Sequence, residues 1–227
     1  MAAPVVTRPP GPVLVLGGGQ GIGAAVAAAF GDDAVVWTRR GGVDAADPAA
    51  LRRATSALLA ARGAPYALVH TVGDFAEQPL LGTDLPTWRH LFTSNVDTAF
   101  HAVQAVVPAM AAARRGRVVL FAAAGVDKDR GMLRAPAYFA AKAALVQLAR
   151  SLALEVASAG LTVNVIAPGL IDHPHSHRAS QARMLPRVPA GRLGHVDDVV
   201  AMVRYLLSDA GAYVTGQVLT IDGGLQA

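Results

Sequence analysis

The chain alternates short, wholly apolar runs with longer segments in which apolar residues recur every three or four positions. Val13-Leu14-Val15-Leu16 is the first run. Four apolar residues without polar alternation predict a strand buried on both faces. Ile22 to Phe30 reads as an Ala-rich helix and Ala34 to Trp37 as a second buried strand. At Asp47-Pro48 a capping carboxylate precedes a proline whose fixed φ suits the first helical position, predicting a helix to about Arg62. Tyr66 to His70 is a strand, Asp84 caps a long helix through about Ala113, and Arg117 to Phe121 is a strand. Pro136 to about Ala159 is a helix, Thr162 to Ala167 a strand, Asp197 to Ser208 a helix and Gln217 to Ile221 a final strand. This alternation predicts an α/β fold in three layers, a parallel sheet with helices on both faces. Residues 1–12, rich in proline, read as a flexible arm ahead of one domain over 13–227, and 170–195 as a polar loop rich in His and Pro.

A length of 227 residues is enough for a single domain that buries roughly 70% of its unfolded surface. Aromatics make up only 5% of the chain, and Ala and Gly are abundant, so the helices can pack closely on the sheet. There is no cysteine, which excludes disulfides, thiolate metal sites and thiol nucleophiles and fits a reducing cytoplasm. No apolar leader is present and no stretch is long enough for a membrane span, so a soluble, cytoplasmic protein is expected. The net charge of +4 is spread along the chain with no basic run interleaved with aromatics, which argues against nucleic acid. A phosphorylated cofactor is reason enough for some of the arginines.

Gly17-Gly18-Gly19-Gln20-Gly21-Ile22-Gly23 lies between the first strand and the first helix. Glycines there let the backbone turn sharply and approach a pyrophosphate seated on the positive helix N-terminus. With the strand–helix alternation, this predicts a Rossmann-type doubly wound sheet. The second strand ends in Trp37-Thr38-Arg39-Arg40, where a carboxylate would accept bonds from a ribose 2′-hydroxyl. Two guanidinium groups at Arg39 and Arg40 suit a 2′-phosphate instead, so NADP(H) is the expected cofactor.

Tyr138 and Lys142 are four residues apart and fall on one face of the predicted helix. An ammonium beside a phenol favours the phenolate, so the tyrosine pKa is expected to fall toward neutrality, as proton transfer requires. Together with Gly17-x-x-x-Gly21-Ile22-Gly23, Ser94-Asn95-Val96, Asn164-Val165-Ile166-Ala167-Pro168-Gly169 and Tyr213 to Gly224, this pair resembles the short-chain dehydrogenase/reductase family from Val13 to Gly224. The resemblance implies that Tyr138 protonates a carbonyl oxygen as hydride arrives, that Lys142 binds the nicotinamide ribose, and that Asn95 holds a relay water. It further implies Gly73 on the adenosine side, Pro168, Gly169 and Ile171 beside the nicotinamide, Asp44 at the adenine, and 170–195 as the substrate lid. It also implies a homotetramer or homodimer, assembled through the helices carrying Asn95 and Tyr138.

Three departures stand out. Leu120-Phe121-Ala122-Ala123-Ala124-Gly125 has no hydroxyl where the family usually carries a catalytic serine; Ala123 is the matching position. Asp127, Asp129, His173 or the substrate itself could take over that role. His70-Thr71-Val72-Gly73 stands where the family has Asn-Asn-Ala-Gly, so bracing amides are lost, and His70 reads as a buried, hydrogen-bonded histidine. Too few residues separate Arg40 from Asp44 for the usual helix and full strand, so a truncated sheet edge is expected there. His173, His175 and His177 alternate in the lid, but no carboxylate or cysteine is spaced to complete a metal site. The expected activity is NADPH-dependent reduction of a ketone, with a role in bacterial secondary metabolism. Against it stand a non-redox isomerase, dehydratase or cyclase on the same frame, a pteridine-type reductase, and a cofactor-binding regulator without turnover.

Overall fold

Six short apolar segments pair side by side to form one parallel sheet. A computed structural model describes residues 9–128, 130–174, 176 and 178–227. The sheet strands are β1 (Val13–Leu16), β2 (Ala34–Trp37), β3 (Ala67–His70), β4 (Gly116–Phe121), β5 (Leu161–Pro168) and β8 (Val218–Ile221). Their order is β2-β1-β3-β4-β5-β8, with Val13 facing Ala34 on one side and Ala67 on the other. A separate two-stranded pair, β6 (Ile171–Asp172) and β7 (Gly194–His195), brackets the segment between them.

The side-chain alternation of the strands divides the core in two. Leu14, Leu16, Leu68, Val118, Leu120, Val163 and Val165 point to one face, where α2 (Pro48–Arg62), α4 (Thr98–Ala112) and α5 (Pro136–Val156) cover them. Val13, Val15, Ala67, Val69, Val119, Phe121 and Ile166 point to the other, under α1 (Gly21–Phe30) and α7 (Val196–Leu207). Burial on both faces is why these strands read as unbroken apolar runs. The predicted caps form: Asp47 Oδ1 accepts from Ala49 N at 2.8 Å, and Asp84 Oδ1 from Thr87 N at 2.8 Å.

The long helix expected from Asp84 to Ala113 is three pieces. It comprises α3 (Leu85–Phe92), a π-turn over Thr93–Asp97, and α4. The extra residue in the π-turn rotates Ser94 and Asn95 into the interior. The segment 170–195 is less irregular than its composition suggests, because it also holds a short α6 (Arg178–Met184). The shortened connection after β2 has the expected result. Among the described residues no strand lies between Trp37 and Pro48, β2 is the sheet edge, and Val36 is 44% exposed. Of the predicted arm, residues 1–8 lie outside the described residues. Pro10 and Pro12 accept hydrogen bonds from Arg115 and from Tyr66 N, so the described end of the arm is tied to the domain. Among the described residues no helix is long and apolar enough to cross a membrane.

In this order the chain leaves β1 in one direction to β2 and returns to β3 on its other side. A crevice therefore opens beyond the carboxyl ends of β1 and β3, where open α/β sheets bind their ligands.

Candidate active site

The glycine loop fills the β1 side of that crevice. Gly17 and Gly21 have φ of 86° and 54°, values that side chains other than glycine's rarely tolerate. A Cβ on Gly23 would lie 2.6 Å from Gly17 O and 2.5 Å from Thr71 Oγ1, so only glycine lets helix and strand meet here. Thr71 supplies a brace in place of the missing amides: its hydroxyl donates to Leu16 O at 2.8 Å, pinning the end of β3 to the end of β1. The N-cap of α1, Gln20, makes no side-chain capping bond, and no acidic residue stands in the first turn. Exposed donors and the helix dipole thus remain for an anion. Ile22 is half-buried against the core below α1. This cradle fits the pyrophosphate of a dinucleotide.

Arg39 and Arg40 stand exposed past the end of β2, with no ion pair among the described residues. Their turn is closed by Gly41 N donating to Thr38 Oγ1 at 3.0 Å, and Thr38 packs against Gly19 of the glycine loop. Asp44 caps its own turn, with Oδ1 accepting from Ala46 N at 2.9 Å. Pro168 ends β5, and Gly169 packs so closely on Asp222 that a Cβ would come within 2.7 Å of the Asp222 Cβ. The Ile171 side chain is buried in the core, so it can offer a ligand only its backbone.

Lys142, Asn95 and Gly73 come together at the ends of β3 and β4. The Lys142 ammonium is 4% exposed and donates to Phe121 O, at the end of β4, at 2.7 Å. The Asn95 amide is fully buried, and its Nδ2 donates to Leu91 O and Asp74 O, each at 2.9 Å. Its Oδ1 has no hydrogen-bond partner among the described residues. A Cβ on Gly73 would collide with that Oδ1 and lie 3.1 Å from Lys142 Nζ, so the glycine is what lets the two groups approach one another. A buried acceptor facing an ammonium across such a gap is suited to a bridging water.

Tyr138 lies one helical turn before Lys142, with Nζ 5.7 Å from its ring centroid. Phe75, two residues past Gly73, stands edge-on to the ring at 5.0 Å. Here one expectation fails. Burial pushes the Tyr138 phenol up, not down, and pushes the Lys142 ammonium down to about 7. Desolvation disfavours both charged forms, and the ammonium is committed to a carbonyl instead of the phenol. Tyr138 is accordingly a neutral phenol at ordinary pH, the form a proton donor needs.

His70 is fully buried and bonds through Nε2 to Thr98 Oγ1 at 3.1 Å, while Thr98 donates to Ser94 O at 2.8 Å. Burial, aided by the charge of Lys142, lowers His70 to about 3, so it is a neutral buttress of the π-turn. Of the residues weighed as replacements for a serine at Ala123, Asp127 is exposed in the turn after β4. His173 lies against the glycine loop, its Nδ1 3.4 Å from where a Gly21 Cβ would be. Asp129, His175 and His177 fall outside the described residues. Thr71 and Phe75 also border the site, and neither is singled out by a motif; the signal available is their place within five residues of His70.

The Lys142 shift has a pH consequence. Between about 7 and the ordinary lysine value, the unfolded chain holds a proton that the folded chain has lost, so stability rises with pH across that window. Lys142→Met removes this dependence. Its melting temperature, relative to the parent's, should be highest at or below pH 7 and decline steadily toward pH 10. A difference that stays flat over that range would refute the burial of a titrating ammonium.

Comparison with known proteins agrees with this architecture. The family described as Enoyl-(Acyl carrier protein) reductase matches residues 19–226. A 3-oxoacyl-(acyl-carrier-protein) reductase of Escherichia coli is 35% identical over 183 residues, covering 79% of this chain and 74% of that protein. Its counterpart from Mycobacterium avium is 32% identical over 228 residues, covering 94% and 89%. Ketoacyl reductase 1 of the granaticin polyketide synthase of Streptomyces violaceoruber is 32% identical over 198 residues, covering 80% and 72%. A short-chain type dehydrogenase/reductase from Mycobacterium ulcerans superposes with a TM-score of 0.87 at 26% identity, over 97% of this chain and 91% of that one. The chain belongs to the short-chain dehydrogenase/reductase family of oxidoreductases.

Proposed function

We propose that this protein is an NADPH-dependent ketoreductase in which Tyr138 gives a proton to the carbonyl oxygen of a ketone. The observation that carries the reading is the convergence of Tyr138, Lys142 and Asn95 beside a glycine cradle at the switch point of the sheet. A bound nicotinamide would supply the hydride; the chain supplies the proton. Tyr138 starts as a phenol and ends as a phenolate, which the Lys142 ammonium stabilises. Asn95 Oδ1 holds the water through which the proton is replaced. Lys142 binds the ribose with the hydrogens not given to Phe121 O. Gly17, Gly21, Ile22 and Gly23 hold the pyrophosphate, Gly73 and Asp44 the adenosine end, and Pro168, Gly169 and the Ile171 backbone the nicotinamide. The relatives' names point to 3-oxoacyl compounds and polyketide intermediates as the first substrates to try.

Arg39 and Arg40, exposed past the end of β2 and without an ion pair among the described residues, support NADPH over NADH. Titration should show tighter binding of NADPH, and Arg39→Ala should weaken it by about ten- to a hundredfold with NADH little affected. Equal affinities in the parent protein would contradict the assignment. Tyr138→Phe should retain cofactor binding while turnover falls about 10²- to 10⁴-fold. Turnover that survives the change would exclude Tyr138 as the acid.

The alanine at position 123 favours one competing reading. Without a hydroxyl beside the carbonyl, the same residues could run a proton-transfer isomerisation or dehydration, in which substrate is consumed and NADPH is not. For assembly, Phe100 on α4 is 47% exposed and Leu154 on α5 is 85% exposed, on helices that the family pairs across a two-fold axis. Light scattering should report a dimer or tetramer at micromolar concentration; a monomer would contradict that assembly.

A further inference from the structure

The segment Asp74–Glu77 touches Asn95, Tyr138 and α6. Asp74 O accepts from Asn95 Nδ2, and Phe75 stands against the Tyr138 ring. Glu77 reaches the other way. Its Oε2 accepts from Ser180 Oγ at 2.6 Å, and its Oε1 from Arg183 Nη2 at 2.6 Å, both on the lid helix α6. Arg134, in the loop that leads into α5, approaches the same Oε1 at 3.5 Å. Three donors from two other segments thus meet on one carboxylate. The Glu77 side chain is 29% exposed, against 40% for Arg183 and 62% for Arg134, so it sits at the inner end of the cluster. The Ser180 hydroxyl, with the two guanidinium groups behind it, holds this carboxyl below its ordinary range, so it is ionised wherever the enzyme would work.

An isolated surface ion pair adds little to global stability. A lid needs only a small bias, because opening costs few buried contacts. The residues of α6 are mostly exposed, with Gln181 the buried exception, and its Nε2 donates to Ile171 O at 2.8 Å. Little apolar burial holds the helix down, and the Glu77 cluster is the main polar tie between it and the β3 side of the mouth.

We infer that Glu77 is a positioning residue. It clasps lid helix α6 to the Asp74–Glu77 segment, and the same segment keeps Phe75 against Tyr138 and the Asp74 carbonyl on Asn95. The clasp rests on geometry alone, whereas its effect on turnover rests on the ketoreductase reading, so the two are tested separately.

Hydrogen–deuterium exchange is compared in the parent protein, Glu77→Gln, Arg183→Gln and the double variant, without substrate. Arg183→Gln alters the far side of the pair and leaves the 74–77 segment intact. Amides of 178–184 should exchange about fivefold faster or more in each single variant, while those of β3, β4 and β5 are unchanged. The double variant should be no faster than Glu77→Gln alone, since that change already removes the ion pair that Arg183→Gln breaks. In ketone reduction, the single variants should show KM raised roughly three- to tenfold, with a smaller change in kcat. Unchanged exchange in α6, or additive effects in the double variant, would overturn the clasp. Faster α6 exchange in a protein that reduces no ketone would uphold the clasp and remove the activity assigned to the site.

Discussion

A buried ammonium has to be satisfied where it is buried, and among the described residues Lys142 donates to the last carbonyl of β4. That one bond ties α5 to the sheet edge-on to the crevice. It fixes where Tyr138 stands, one turn earlier, and leaves the remaining hydrogens of Lys142 facing Gly73 and the orphaned Asn95 Oδ1. No carboxylate pairs with Lys142 among the described residues, so no opposite charge offsets the cost of burying its ammonium. The depressed pKa follows from the same isolation. A protein that kept this lysine for packing alone would gain by replacing it with an apolar residue.

The rest of the site is arranged around small residues that permit close approach. Gly23 lets α1 lie on Gly17, Gly73 lets Asn95 near Lys142, and the Thr71 hydroxyl draws β3 onto β1. Where the sequence is short, after β2, nothing replaces the lost strand. The result is an open edge beside Arg39 and Arg40 and not a rearranged sheet.

The strands and helices were readable because burial on both sheet faces leaves apolar runs, and because Asp47 and Asp84 announce their helices with side chains that do cap them. Tyr138, Lys142, Asn95 and the glycines were readable as spaced motifs. The π-turn was hidden, since inserting one residue into a helix changes no propensity; only the interior placement of Ser94 and Asn95 reveals it. The rise of the Tyr138 pKa was also out of reach. Spacing puts the lysine near the phenol, but desolvation and a competing carbonyl decide the sign. Phe75 and Glu77 were missed because their roles are contacts with residues 63 and more than 100 positions away along the chain.

The site thus joins strand ends and glycines on one side to the segment 170–195, held by polar ties, on the other. In the proposed reaction, the phenol of Tyr138 and a delivered hydride meet on the same carbonyl. Reduction of a 3-oxoacyl thioester with NADPH deuterated at the transferable position of the nicotinamide, followed by mass spectrometry of the product, tests it directly. One deuterium is expected on the carbinol carbon for each cofactor oxidised, with the amount of labelled product falling in step with turnover in Tyr138→Phe. Unlabelled product formed while the cofactor stays reduced would contradict it.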